Sequence, residues 1–176
     1  NHWITVSTIG CAPGIVKVYD SMHLRLPSSL KQIIADLMFH KGRNIKVQYI
    51  NMQNQIGLND CGLFAIASAT AICHDIDPSK VDFCQKDMRE HLTNSFEQGQ
   101  LLPFLTKQLT EQRMEIYAVE TVKIYCLCRQ INDKNRQMVE CTSCKNWFHL
   151  DCLKVPKNVI ANKTVPWYCK SCCVYN

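Results

Sequence analysis

The chain has 176 residues, of which 47% are hydrophobic and 20% are charged, and it carries a formal net charge of +5. These values are typical of a globular chain with one or two domains. No apolar run reaches the roughly 18 to 20 residues of a membrane-spanning helix, and no secretory signal opens the chain, so a membrane protein is not expected. Because the chain begins with Asn1 and not with Met, we expect a fragment of a longer protein.

Three strands and one helix are predicted in the first 51 residues. The strands are rich in β-branched residues, and the first two are separated by turn residues. The helix has apolar residues at helical spacing and follows two serines, either of which can cap it. The predicted strands span 3–9, 15–19 and 46–51, and the predicted helix spans 30–40.

The following seventy residues are predicted to be mainly helical. An apolar helix is expected over 61–73, capped by Asn59 or Asp60. Asp82 is expected to introduce a further helix that ends near residue 94. The charged stretch 105–120 has the polarity of a closing helix and linker.

The 12 cysteines divide the chain into two parts. Four lie in residues 1–123, whereas eight lie in the last 53 residues, so most thiols belong to one local feature. We predict one domain over 1–118, a linker over 119–123 and a second domain over 124–176.

Close pairs of metal-ligating residues mark the C-terminal segment. Two such pairs can complete a tetrahedron around zinc, because each pair supplies one edge. Disulfides would explain neither the histidine in the series nor the regular pairing, and a chain without a secretory signal is expected in a reducing compartment. The predicted ligands are Cys126, Cys128, Cys141, Cys144, His149, Cys152, Cys169 and Cys172.

Metal binding would supply most of the folding free energy of so short a segment, typically ~10 to 16 kcal/mol per structural site. Eight ligands close two four-coordinate sites and leave no position for a catalytic water, so we expect two structural zinc ions. Seven thiolates and two zinc ions reduce the formal +5 of residues 124–176 to +2. Charge therefore gives little reason to expect direct nucleic-acid binding.

The order of four cysteines, one histidine and three cysteines, with Trp147 two places before His149, resembles a PHD finger. The resemblance covers residues 124–173. It implies a cross-brace, in which the first and third ligand pairs hold one zinc ion while the second and fourth pairs hold the other. Cys173 stays outside the set because Cys172 fits the spacing better.

Tyr125, Met138 and Trp147 match the walls of the methyl-lysine cage in PHD fingers that read trimethylated lysine near the N-terminus of the histone H3 tail. Aromatic faces attract a quaternary ammonium by roughly 0.5 to 2 kcal/mol each. The resemblance thus implies a histone H3 tail as partner and a nuclear location. Packing in the finger is the alternative role of the aromatic residues, and a finger that ignores methylation is the alternative function.

Other parts of the finger also match tail-reading relatives. Residues 137–140 have the character of an edge strand that can pair with a peptide backbone. Residues 165–167 resemble the segment whose carbonyl groups receive the amino terminus of the tail. Many such readers hold the tail's arginine with an acidic residue directly after the third ligand, where this chain has Thr142.

A second constellation has the residue types of an activated cysteine. A cysteine nucleophile needs a base, a group that orients the base, and an oxyanion hole. Cys61 stands at the start of the apolar helix, where unpaired N–H groups and the helix dipole favour a thiolate. His2, Asp20 and Gln55 can supply the other roles.

The order and spacing of these residues, with Trp3 after the histidine and Gly62 after the cysteine, are similar to the Ulp/SENP family of ubiquitin-like-protein proteases. The resemblance covers roughly residues 1–105 and implies cleavage after the diglycine of a ubiquitin-like protein. It implies these roles: general base His2, orienting group Asp20, oxyanion donor Gln55, nucleophile Cys61, and channel roof Trp3.

The sequence as a whole predicts an α+β protein, with a partial papain-like cysteine protease domain followed by a small cross-brace PHD finger. The expected partners are the histone H3 tail and a ubiquitin-like substrate, with no membrane and no direct nucleic-acid partner. Elements that lie upstream of the His-Trp strand in the protease family are absent from the sequence. An inactive protease remnant, whose finger serves only protein interaction, is therefore the alternative, and a deubiquitinase is a further one.

Overall fold

The computed structural model describes residues 2–38, 42–109, 113–131, 133, 135–162 and 164–173. They form two compact units, one from Asn1–Leu26 and Lys46–Thr121 and the other from Pro27–Ile45 and Val122–Asn176. None of the helices in these described ranges is long and apolar enough to cross a membrane.

The described elements make a small mixed α/β protein. The strands are β1 (Thr5–Ser7), β2 (Ile15–Tyr19), β3 (Asn44–Ile50), β4 (Val81–Phe83), β5 (Thr106–Gln108), β6 (Ile116–Lys123), β7 (Met138–Glu140) and β8 (Trp147–His149). The helices are α1 (Ser28–Leu37), α2 (Cys61–Cys73), α3 (Met88–Gln98), α4 (Lys157–Ala161) and α5 (Lys170–Cys173).

The first unit is built on a four-stranded sheet with the order β1-β2-β3-β6. β1 and β2 are antiparallel, as a hairpin requires, whereas β2 and β3 are parallel because α1 lies between them in the chain. All three strands predicted in this part of the sequence are confirmed, as are α1 and α2. Residues 39 and 40 of the predicted first helix lie outside the described residues.

Helix α2 packs against this sheet with apolar side chains on nearly every face. Phe64 and Ala67 are buried with Tyr19 and Ile50 of the strands, and Phe64 meets Phe83 edge to face at 6.0 Å between ring centroids. The hydroxyl of Thr5 donates to the Ala65 carbonyl at 2.6 Å, which ties β1 to α2. The start of α2, where Cys61 lies, is thereby fixed relative to the N-terminal strand.

One predicted helix begins later in the chain than expected, and the predicted closing helix is wrong. Asp82 lies in β4, which pairs antiparallel with β5, and α3 begins only at Met88 after a short 3-10 helix at Gln85–Asp87. The charged stretch 105–120 contains β5 and the first part of β6 instead of a closing helix, and its residues 110–112 lie outside the described residues. Strand pairing with distant residues decides these segments, and local polarity gives no sign of it.

The second unit contains the short antiparallel pair β7–β8, in which Met138 faces His149 and Glu140 faces Trp147. Segment 27–45 belongs to the same unit. The Gln32 side-chain oxygen accepts from Ile131 N at 2.8 Å there. The predicted linker 119–123 falls within β6, and the predicted domain limits remain a prediction.

Candidate metal centres and candidate thiol site

Eight side chains of the second unit converge into two groups of four. Within each group the ligand atoms all lie within 4.8 Å of one another. The first group is Cys126, Cys128, His149 and Cys152, and the second is Cys141, Cys144, Cys169 and Cys172. The sequence-predicted cross-brace is therefore the arrangement that the fold produces.

Backbone hydrogen bonds around β8 bring the ligand pairs together. Cys126 N donates to the Trp147 carbonyl at 2.9 Å, so the first ligand lies beside the strand that carries His149. Cys141 N donates to the Asn146 carbonyl at 2.8 Å and closes the turn that holds the second pair. One short strand thus connects the two metal centres.

The distances between ligand atoms fit tetrahedral zinc. His149 Nδ1 lies 3.3 Å from Cys128 Sγ and 4.0 Å from Cys152 Sγ, and Cys144 Sγ lies 3.9 Å from Cys169 Sγ. A tetrahedron with Zn–S bonds of about 2.3 Å has edges of about 3.8 Å. Burial lowers the pKa of His149, and nearby Arg136 adds to this, which favours the neutral imidazole that a metal ligand requires.

The surroundings shift the pKa values of the ligand thiols in opposite directions. Burial would raise the pKa of Cys141, but backbone N–H groups of Cys144, Cys169 and Ser143 bring it down to about 6. Burial, with neighbouring thiols, raises the pKa of Cys169 to about 12 and that of Cys152 to about 11. Thiols this close ionise together only when a cation neutralises them, and two structural zinc ions supply that charge.

Arg136 is a supporting residue that the ligand spacing did not reveal. Its guanidinium donates to Cys152 Sγ at 3.3 Å, to an Asp151 carboxylate oxygen at 2.6 Å and to the Gln130 side-chain oxygen at 2.6 Å. A cation held against a ligand sulfur favours the thiolate. The sequence has two arginines, Arg129 and Arg136, between the first and second ligand pairs, and no spacing pattern distinguishes Arg136.

A groove of about 470 Å³ runs along β7 beside the metal centres. Glu140, Lys145 and Trp147 provide its charged and aromatic walls, and the side chains of Val159, Ile160 and Val165 provide apolar ones. Thr142 also lines it, but its hydroxyl accepts from Trp167 N at 3.1 Å. Among the described residues that line the groove, the acidic one is Glu140, directly before the ligand Cys141, a position that sequence reasoning overlooked.

Of the three predicted cage residues, Trp147 is 43% exposed, and Met138 and Tyr125 each line a depression together with it. Met138 and Trp147 both line the groove, and they are diagonal neighbours on the paired strands β7 and β8. Tyr125 and Trp147 line an adjoining depression of about 350 Å³. Trp147 therefore lines both the groove and the adjoining depression, and the methyl-lysine cage remains a prediction.

In the first unit, His2 and Asp20 form a hydrogen bond of 2.8 Å between Nε2 and a carboxylate oxygen. Asp20 is 3% exposed and also accepts from the backbone N–H groups of Met22 at 2.8 Å and Leu24 at 3.0 Å. These bonds fix the carboxylate. With Nε2–H donating to Asp20, Nδ1 of His2 is left as the basic nitrogen.

The indole of Trp3 brings the His2 segment to the start of α2. A Cβ built at Gly62 would lie 3.6 Å from a carbon of the Trp3 ring, so this ring covers Gly62, the neighbour of Cys61. Gln55 lies at the other side of the loop before α2, where its side-chain oxygen accepts from the Ser21 hydroxyl at 2.7 Å. Short contacts thus join His2 to Asp20, Trp3 to the neighbour of Cys61, and Gln55 to the neighbour of Asp20, whereas no hydrogen bond joins His2 to Cys61 Sγ among the described residues.

Comparison with known proteins bears on the second unit. Residues 126–172 match the family model described as PHD-finger, so this segment is a PHD finger. A stretch of 49 residues is 43% identical to lysine-specific demethylase 7A of Xenopus tropicalis, covering 28% of this chain and 5% of that protein. Lysine-specific demethylase 7B of Danio rerio is 40% identical over 52 residues, covering 30% of this chain and 9% of that protein. The chain thus spans less than a tenth of these relatives.

Replacement of Cys144 by serine should reduce bound zinc from two ions per chain to one. Cys144 is a ligand of the second cluster, whereas Cys173 lies outside both clusters and is exposed. Cys173→Ser is therefore the matched control and should keep two ions. Elemental analysis of the purified variants measures the ratio. Two ions in Cys144→Ser, or one in Cys173→Ser, would contradict the ligand assignment.

Replacement of Arg136 by alanine should release the zinc of the first cluster at a higher pH than in the wild type. Without the guanidinium the pKa of Cys152 rises further, so protons compete with zinc earlier as the pH falls. Loss of such a supporting contact typically costs about tenfold or more in metal affinity. A chromophoric chelator followed during an acid titration gives the midpoint of release. Lys154→Ala, an exposed cation nearby in sequence, is the control.

Proposed function

We propose that the PHD finger reads a histone tail, with preference for a trimethylated lysine near the tail's N-terminus. The observation that carries this proposal is the groove along β7 with Trp147 as its aromatic wall. The relatives that share the finger are named lysine-specific demethylases, so the same module occurs in proteins that act on methylated lysine. A histone reader is expected in the nucleus.

The groove offers the contacts that an extended basic peptide needs. A peptide that pairs with β7 would add a third strand to the β7–β8 sheet and gain main-chain hydrogen bonds. Glu140 supplies a negative charge for a basic side chain of the tail, in place of the acidic residue expected at Thr142. The exposed ring of Trp147 supplies a face for cation–π attraction to the trimethylammonium group.

Trp147→Ala should weaken binding of a trimethylated H3-tail peptide about five- to thirtyfold, because a cation–π contact is worth roughly 1 to 2 kcal/mol. Met138→Ala and Tyr125→Ala should each weaken it less. Titration of the whole chain with trimethylated and unmodified peptides measures the preference. Leu127→Ala removes an exposed apolar side chain outside the groove and serves as the control. Equal affinity of the wild type for both peptides would contradict the predicted methyl-lysine cage.

A cysteine peptidase of the Ulp/SENP type is the second candidate function, and it concerns the first unit. It is favoured by the His2–Asp20 hydrogen bond together with the Trp3 ring on Gly62. These contacts join the base, its orienting carboxylate and the start of α2 within one local arrangement. The papain-like fold and the ubiquitin-like substrate belong to the same proposal.

In this candidate mechanism Nδ1 of His2 takes the proton of Cys61, and Sγ attacks the carbonyl carbon of the second glycine of the diglycine. The leaving amine takes the proton from His2, and water then hydrolyses the thioester with His2 again as base. Nε2 of Gln55 now donates to the Gly57 carbonyl at 2.9 Å. To stabilise the oxyanion, the Gln55 amide must therefore release the Gly57 carbonyl and donate to the oxyanion instead.

A ubiquitin-like protein that ends in an electrophilic diglycine should label Cys61 of the wild-type chain. His2→Ala should slow labelling at least about a hundredfold, the usual scale for loss of a general base. Cys73→Ser is the control, because Cys73 is an exposed thiol at the far end of α2. Mass spectrometry of the adduct locates the modified residue. Labelling that persists equally in His2→Ala would contradict a catalytic dyad and support an inactive remnant.

A further inference from the structure

The loop that joins Gln55 to Cys61 is not held in place by burial of its side chains. Ile56 is 80% exposed and Leu58 is 77% exposed. Gly57 has a φ of +79°, and a Cβ built on it would meet nothing within 4 Å. Apolar packing therefore contributes little to fixing this loop, although it separates two residues of the candidate thiol site.

The side chain of Gln85 holds the loop through three hydrogen bonds. Its oxygen accepts from Ile56 N at 2.9 Å, and its nitrogen donates to the Ile56 carbonyl at 2.9 Å and to an Asp60 carboxylate oxygen at 2.7 Å. Both backbone groups of Ile56 are thus bonded by one half-buried amide. A side-chain amide that satisfies both groups fixes the peptide orientation there.

Asp60 connects this loop to two helices. Its carboxylate pairs with Arg89 of α3 as well as with Gln85, and its carbonyl accepts the first helical hydrogen bond of α2, from Phe64 N at 3.0 Å. The side chain therefore does not cap α2, although Asp60 occupies the predicted cap position. Instead it fixes the residue directly before Cys61 relative to α3.

A second glutamine anchors the beginning of the same segment. The Gln53 side chain accepts from Phe83 N at 2.6 Å and donates to the Phe83 carbonyl at 3.2 Å. The chain from residue 53 to residue 60 is thus bound at both ends to the segment 83–89. Polar side chains replace the missing apolar contacts of the loop.

We propose that Gln85, supported by Arg89, is a positioning residue for the thiol site. It sets the backbone of residues 56–60 and with it the placement of the Gln55 amide relative to Cys61 Sγ. Gln85 makes no contact with the reacting atoms in this assignment and acts through the loop. The inference rests on the proposed peptidase function, but its effect on the loop is measurable without any activity.

The test compares Gln85→Ala with Gln98→Ala, which removes an exposed glutamine of α3, in the whole chain. Hydrogen exchange of the amides in residues 56–61 should be at least about tenfold faster in Gln85→Ala and unchanged in Gln98→Ala. Unchanged exchange in the interior of α2 shows that the variant is folded. Arg89→Ala should loosen the same amides, and Arg89→Lys should restore most of the protection.

Labelling of Cys61 by the diglycine electrophile gives the functional readout. Gln85→Ala should slow it at least about tenfold, while labelling by iodoacetamide, a small electrophile that needs no oxyanion hole, should fall by less than about twofold. Wild-type exchange rates in Gln85→Ala would overturn the proposal, and so would faster exchange with unchanged diglycine labelling. If the wild type is not labelled at all, the peptidase proposal fails and the exchange rates alone decide whether Gln85 holds the loop.

Discussion

Coordination of zinc by buried thiolates is the interaction on which the PHD finger depends. The buried cluster of the finger consists of Cys126, Cys141, Phe148 and Cys169, and three of these four are metal ligands. Without the ions, only a few apolar side chains such as Phe148 and Val159 would remain buried beside crowded thiols, which is too little apolar area to hold so short a chain together. The position of Trp147 depends on the same coordination. Its carbonyl accepts from the backbone N–H of the ligand Cys126, and it lies two residues before the ligand His149 in β8.

Apolar packing positions the candidate site of the first unit. Its candidate site draws residues from the segment before β1, from the residue after β2, from the loop before α2 and from the start of α2, and β2 and α2 share a hydrophobic core around Phe64. Charge and hydrogen bonding then refine the arrangement locally. Asp20 receives two backbone N–H groups and the imidazole of His2, while the exposed loop before Cys61 depends on Gln85 and Gln53.

What the sequence could predict follows from how local each signal is. The zinc ligands were predictable because tetrahedral coordination demands close pairs, and α2 was predictable because an apolar run of its length carries its own signal. The strands β4 and β5 were not, since each has three residues and forms only by pairing with the other across more than twenty residues. Arg136 and Gln85 were overlooked for a related reason: a side chain that supports a site through space leaves no spacing pattern in the chain.

The surroundings of the cysteines differ between the two units. In the finger, each ligand thiolate is bonded to a metal ion, and this bond protects it from electrophiles. Cys61 belongs to neither metal-ligand group found among the described residues, and it is only 6% exposed beside the Trp3 ring on Gly62. Under the peptidase that we propose, a substrate chain must be narrow to reach a thiol so enclosed, and diglycine, which has no side chains, meets that requirement. Under the alternative of an inactive remnant, the same burial makes Cys61 a core residue.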